Sequence, residues 1–143
     1  MINEIKFKKA KNQDLDYLVS LRKMTMKEHL ERAGIGYDEK IQLMRVKYHY
    51  QDAEIIYYRQ KRIGLIKVDR IGIPWHLIQI QLETLYQNKG LGTQIISTLL
   101  NEAKKVHVRV QLTVLKSNPA YHLYQRLGFA VIEHKAHSYE MLY

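Results

Sequence analysis

The stretch Gln87-Asn88-Lys89-Gly90-Leu91-Gly92-Thr93 does most to limit what this chain can fold into, because it joins two segments of different period through a pair of glycines. Upstream, Leu77, Ile78, Ile80, Leu82 and Leu85 read as a strand and its exit, while downstream Ile95, Ile96, Leu99, Leu100 and Ala103 recur at helical spacing. A strand that enters a helix through glycine builds a particular kind of site. The first N–H groups of a helix have no intrahelical partner and carry the positive end of its dipole, so a glycine-bearing entry lets a phosphate or pyrophosphate approach them. The same pair of glycines also serves as a plain tight turn, and the loop alone does not choose between the two.

At 143 residues the chain fits one domain, 1–143, large enough to bury a core. Pro74 and Pro119 are the only prolines, and no Ser/Pro/Gly-rich or single-charge block marks a linker, a repeat or a disordered tail. Met1 to Lys11 alternates charge with Ile2, Ile5 and Phe7 rather than forming the apolar run of a signal peptide. No stretch reaches the roughly 18 apolar residues of a membrane span, so a soluble cytoplasmic protein is expected. The absence of cysteine removes disulfides, thiolate metal sites and a cysteine nucleophile, so any acyl transfer must avoid a Cys-bound intermediate. Lysine and arginine outnumber aspartate and glutamate 23 to 14, and a formal charge of +9 favours anionic ligands. The basic residues are dispersed along the chain, Lys6, Lys8, Lys9 and Lys11 at one end and Lys104, Lys105 and Arg109 far from them, in no single block, which is the pattern of solvated surface rather than of a nucleic-acid footprint.

Ile2 to Lys8 alternates as a half-buried strand does, and Asn12 or Asp14 can cap a helix with Leu15, Leu18, Val19, Met26 and Leu30 on its apolar face. Gly34 and Gly36 end it. Asp38 caps a second helix with Leu43, Val46 and Tyr50 on one face. Ala53 to Arg59 and Arg62 to Val68 then flank Gln60-Lys61 as a hairpin. Ile71 to Pro74 turns into a strand over His76 to Leu82, and a helix over Thr93 to Val106 follows the glycine loop. Val108 to Val114 alternates as a strand, Asn118-Pro119 opens a helix to Leu127 that Gly128 ends, and Ala130 to His134 and Ser138 to Leu142 are the last two strands. This order predicts a mixed α/β domain.

About 25 residues beyond the loop stands a second motif, Leu115-Lys116-Ser117-Asn118-Pro119-Ala120-Tyr121-His122-Leu123-Tyr124-Gln125-Arg126-Leu127-Gly128-Phe129. Together with Leu82-Glu83-Thr84-Leu85-Tyr86 and the glycine loop, it resembles the GNAT superfamily of N-acetyltransferases. That family is similar in its Gln/Arg-x-x-Gly-x-Gly/Ala loop after the fourth strand, an asparagine at the end of the next strand, and a helix reading Leu-Tyr-x-x-x-Gly-Phe. The resemblance is close from Ile78 to Phe129. It implies a mostly antiparallel sheet of six or seven strands with about four helices, and strands 4 and 5 splayed to admit coenzyme A. It also implies acetyl-CoA as co-substrate, its pyrophosphate cradled by backbone N–H groups of Gln87, Asn88, Lys89, Gly90, Leu91, Gly92 and Thr93. The pantetheine arm would bond backbone groups around Leu82 and Thr84, and Asn118 would lie beside the arm; Asn118 also reads as the cap of the helix after it.

By the same resemblance Tyr124 points at the acetyl-CoA sulfur. A phenol of ordinary pKa about 10 suits protonation of a departing thiolate, and the competing reading of Tyr124 is a buried aromatic under its helix. The attacking amine must lose a proton. His76, an even number of residues from Leu82 along the strand, stands where some members of the superfamily place a base; Glu83, Glu28 and Glu31 are carboxylate alternatives, and each has an ordinary surface reading. His134-x-x-His137 has a two-ligand metal spacing without a third ligand, and no metal is expected. Tyr48, His49, Tyr50, Tyr57 and Tyr58 read either as an acceptor pocket or as core packing. A P-loop is excluded by spacing, and a dinucleotide fingerprint is disfavoured by Ile95 in place of the third glycine.

The function expected is transfer of acetyl from acetyl-CoA to a primary amine by direct attack in a ternary complex, the alternative being a non-catalytic acyl-CoA binding module or sensor. Small amines, antibiotics, protein amines and aminoacyl-tRNA remain open as acceptors. Aminoacyl-tRNA is the one nucleic-acid partner kept, no membrane is expected, and a homodimer is left open.

Overall fold

The computed structural model describes residues 4–143. In chain order the elements are β1 (Ile5–Lys9), α1 (Leu15–Arg32), α2 (Glu39–Lys47), β2 (Ala53–Tyr58), β3 (Lys61–Asp69), β4 (Trp75–Leu82), α3 (Leu91–Lys105), β5 (Val110–Leu115), α4 (Ala120–Leu127), β6 (Ala130–His134) and β7 (Ser138–Leu142). The seven strands form one sheet in the order β1-β2-β3-β4-β5-β7-β6, mostly antiparallel with β4 and β5 parallel. This is the α/β class and the mixed sheet that the sequence predicts, with seven strands and four helices. The first strand begins at Ile5, and Ile2 lies outside the described residues. No helix among the described residues is long and apolar enough to cross a membrane. By their contacts the residues fall into two compact units, Met1–Lys67 with Gln79–Lys89, and Val68–Ile78 with Gly90–Tyr143.

In the first unit, the hairpin between β2 and β3 turns on Arg59-Gln60, one residue earlier than expected. Tyr58 pairs with Lys61, leaving a two-residue loop whose members both take positive φ, 50° and 68°, as the twist of a tight hairpin demands. Lys61 belongs to the strand. Farther along, Ile56 pairs with Gly64 and Tyr57 with Arg62, so Ile63 is an extra residue on β3, and its carbonyl accepts the N–H of Glu83 at 2.8 Å. Gly64 is required by close approach, since a Cβ there would lie 2.2 Å from the Gln81 carbonyl oxygen. The core of this unit joins Leu18 and Leu21 of α1, Val46 of α2, Ala53 and Ile55 of β2 and Leu65 of β3. Asp38 caps α2 as expected, accepting from Lys40 N at 2.9 Å and Ile41 N at 3.1 Å. The other end of α2 is closed by an unexpected residue. Lys67, fully buried in an otherwise apolar run, donates to the carbonyls of Val46 at 2.9 Å, Tyr48 at 2.5 Å and Arg45 at 3.3 Å.

In the second unit, α3 starts at Leu91, two residues before the expected Thr93, because Gly90 (φ 79°, ψ 0°) turns the chain directly into the helix. It ends in a Schellman arrangement: His107 takes φ 59° in glycine's usual place, and Val108 N reaches back to Ala103 O at 3.0 Å. That wrap uses Val108, so β5 begins at Val110. Parallel pairing of β4 with β5 matches Trp75–Leu77 to Val110–Leu112, after which each strand continues, to Leu82 and to Leu115. Gly128 ends α4 at φ 109°, where a Cβ would come within 3.1 Å of the Tyr143 ring.

Candidate active site

The glycine loop is held at its start and open at its end. Gln87 N donates to Thr84 O at 3.2 Å and its side-chain Nε2 to Leu82 O at 2.9 Å, so the residue anchors the loop and its amide is not among the donors free to meet a phosphate. Asn88 (φ 59°) and Gly90 (φ 79°) both take positive φ. The first helical bond of α3 is Gln94 N to Gly90 O at 3.2 Å, so the N–H groups of Leu91, Gly92 and Thr93 precede the ladder, and no side chain caps them. A Cβ on Gly92 would meet only Leu123 Cδ2, at an ordinary 3.8 Å. Packing therefore does not demand glycine there, although glycine weakens a helix. Lys89 is exposed beside it.

At the strand end, Glu83 N is given to Ile63 O, and the Leu82 carbonyl carries the Gln87 amide. Thr84 is exposed.

On α4, Tyr124 is buried at 7 % exposure, edge-on to Phe129 with ring centroids 5.8 Å apart. Burial pushes its phenol up to about 12, so it stays protonated at any physiological pH. No hydrogen bond of its hydroxyl is found among the described residues, and Gln94 Oε1 is a buried side-chain oxygen without a partner there. Tyr121 lies at the side, its ring 5.0 Å from that of Tyr139. Asn118 Oδ1 accepts from Ala120 N at 2.9 Å, which makes it a cap of α4 and leaves its amide donors outside that bond. His76 is half-buried on β4, opposite Gln111 of β5.

The remaining candidates separate. Glu28 pairs with Arg32 at the surface and Glu31 is exposed. His134 and His137 are both exposed, and the His134 ring meets Tyr139 edge-on at 5.1 Å. The tyrosines near residue 50 divide between roles: Tyr50 and Tyr57 pack against the core of the first unit, and Tyr48 is exposed with His49 against its edge. Glu83 differs, because it is half-buried and accepts the Tyr17 hydroxyl at 2.6 Å. Arg62 lies over the Tyr17 ring, 4.4 Å from its centroid. Tyr17 and Arg62 were not singled out from sequence; the 66-residue separation of Tyr17 from Glu83 leaves no local pattern to find.

A family model described as an acetyltransferase (GNAT) domain matches residues 25–139. The chain belongs to the GNAT acetyltransferase family. Its chemistry is that of an acyltransferase, and the family resemblance carried by the glycine loop and the Leu-Tyr-x-x-x-Gly-Phe helix is thereby confirmed. Solved structures agree on the GNAT fold. The PaiA N-acetyltransferase from Thermoplasma acidophilum, in complex with coenzyme A, is 20 % identical with a TM-score of 0.75 over 96 % of this chain and 97 % of its own. An acetyltransferase from Thermus thermophilus is 15 % identical with a TM-score of 0.76 over 97 % and 96 %. Arabidopsis thaliana Naa50, in complex with the bisubstrate analogue CoA-Ac-MVNAL, is 14 % identical with a TM-score of 0.65 over 97 % of each chain. No curated protein sequence matches significantly.

Proposed function

We propose that this GNAT protein is an acetyl-CoA-dependent N-acetyltransferase that moves acetyl to a primary amine by direct attack in a ternary complex, acting in the cytoplasm. The observation that carries the reading is the uncapped N-terminus of α3, where Leu91, Gly92 and Thr93 present N–H groups behind two residues of positive φ and beside a glycine that packing does not require. Such a site fits a pyrophosphate. In this reading Asn88, Lys89 and Gly90 complete the cradle, and Gln87 contributes by tying the loop to Leu82. Leu82 and Thr84 offer the remaining backbone groups to the pantetheine amides, and Asn118 its side-chain amide.

The amine forms its bond to the thioester carbonyl carbon as the C–S bond breaks. Tyr124 gives its proton to the departing sulfur, and His76 takes one from the attacking nitrogen. A phenol raised to about 12 by burial is a reservoir that never empties near neutral pH. Calorimetric titration with acetyl-CoA, followed by thiol release on mixing with 1,4-diaminobutane or a peptide beginning Met-Val-Asn-Ala-Leu, tests the reading. Binding and release are expected. Binding without release on either amine would favour a non-catalytic acyl-CoA sensor, and no binding would remove the reading altogether.

A further inference from the structure

Glu83 is the carboxylate that the proposed chemistry leaves unused. It is half-buried, and its one hydrogen-bond donor among the described residues is neutral, the Tyr17 hydroxyl at 2.6 Å on Oε2. The nearby cation is spent elsewhere. Arg62 stacks on the Tyr17 ring at 4.4 Å and reaches Asp14 Oδ1 at 3.4 Å, and Asp14, itself buried, also accepts Lys11 N at 2.8 Å. Burial first, and the bond to Glu83 second, hold the Tyr17 phenol above its ordinary range, so it remains a donor and keeps the carboxylate in one orientation.

A carboxylate held by one neutral donor still has acceptor capacity for a positive one, and a charged donor makes the stronger bond. Its second oxygen, Oε1, is that donor's place. Position along the chain gives the donor an identity: Glu83 stands between Leu82 and Thr84, the two residues whose backbone the acetyl-CoA arm would use. We propose that Glu83, oriented by Tyr17, is the seat of the acceptor's ammonium group, which binds as the cation, releases one proton to water before attack and passes a second to His76 as the C–N bond forms, so that the enzyme takes cationic primary amines. This rests on the N-acetyltransferase reading. Tyr17 is then a positioning residue and Glu83 a substrate-binding one.

The test is steady-state acetylation of 1,4-diaminobutane and of the Met-Val-Asn-Ala-Leu peptide by the full chain, by Glu83→Gln and by Tyr17→Phe, with acetyl-CoA affinity measured in parallel. Glutamine keeps the volume and can still accept the Tyr17 hydroxyl, so the fold is expected to persist. Loss of a charged hydrogen bond should raise the amine KM of Glu83→Gln by about 10- to 100-fold, with kcat changed far less and acetyl-CoA affinity within about twofold. Tyr17→Phe should raise the amine KM by about 3- to 10-fold, and Glu83→Asp, which keeps the charge, should recover part of the loss. An amine KM for Glu83→Gln equal to that of the unaltered chain overturns the assignment and leaves the acetyltransferase reading standing. Failure of the unaltered chain to bind acetyl-CoA, or to acetylate either amine, overturns both.

Discussion

Two side chains have environments that outweigh their residue types. Tyr124, held near 12 by burial, is a weaker acid than a free phenol and a more reliable proton store. Tyr124→Phe should lower turnover by about 10²- to 10⁴-fold with acetyl-CoA affinity nearly intact, the usual range for loss of a general acid; unchanged turnover would remove it from the mechanism. Lys67 is the opposite case. Burial, and then the charge of Arg22, bring its ammonium down to about 8. The folded chain therefore binds fewer protons at this site than the unfolded chain between about 8 and 10.5, so stability rises with pH across that window. Tyr124, raised above its unfolded value of about 10, acts in the reverse sense: its contribution is full below 10 and declines as pH approaches 12. Urea denaturation at pH 7.5, 9 and 10 should show the rise in the unaltered chain. Lys67→Met should lack it, and should lose about 2–4 kcal/mol at neutral pH, because the carbonyls of Val46, Tyr48 and Arg45 lose their donor. A parallel pH dependence in both proteins would contradict the assignment.

At the scale of elements, the two glycines of the loop do different work. Gly90 is there for its backbone, since φ 79° is costly for any residue with a Cβ, and Gly90→Ala should destabilise the fold by about 1 kcal/mol. Gly92 is helical and a Cβ there would make only an ordinary contact with Leu123, at 3.8 Å, so Gly92→Ala should stabilise α3 by about 0.5–1 kcal/mol. Gly92→Val should leave thermal unfolding close to normal while abolishing acetyl-CoA binding, and retained binding would contradict the cradle. The sequence pattern made these elements legible and blurred their joints. The apolar period of α3 was plain, but its start moved to Leu91 and β5 moved to Val110 because cap geometry at Gly90 and His107 decides where a chain leaves its helix. The β2–β3 turn was displaced by one residue for a similar reason. Arg59 and Gln60 carry positive φ without the Asn-Gly chemistry that usually announces it, so the pairing of Tyr58 with Lys61 was the only signal.

For the whole molecule, the +9 charge has no single block in sequence, and its expected effect is long-range attraction of an anionic co-substrate. The association rate of acetyl-CoA should accordingly fall several-fold between about 20 and 200 mM salt; a salt-independent rate in stopped-flow would assign the charge to ordinary surface solvation. By itself the sequence determined the class of fold, the order of its elements and the family. Those features are encoded by period, by glycine placement and by two motifs about 25 residues apart, all of them local in the chain. Only the tertiary structure decided that Gln87 anchors the loop instead of donating its amide to it, that Lys67 closes α2, and that Tyr17 comes from α1 to hold Glu83. Each depends on a hydrogen bond between groups that the chain must fold to bring together, and burial then sets their charge in a way no linear pattern records.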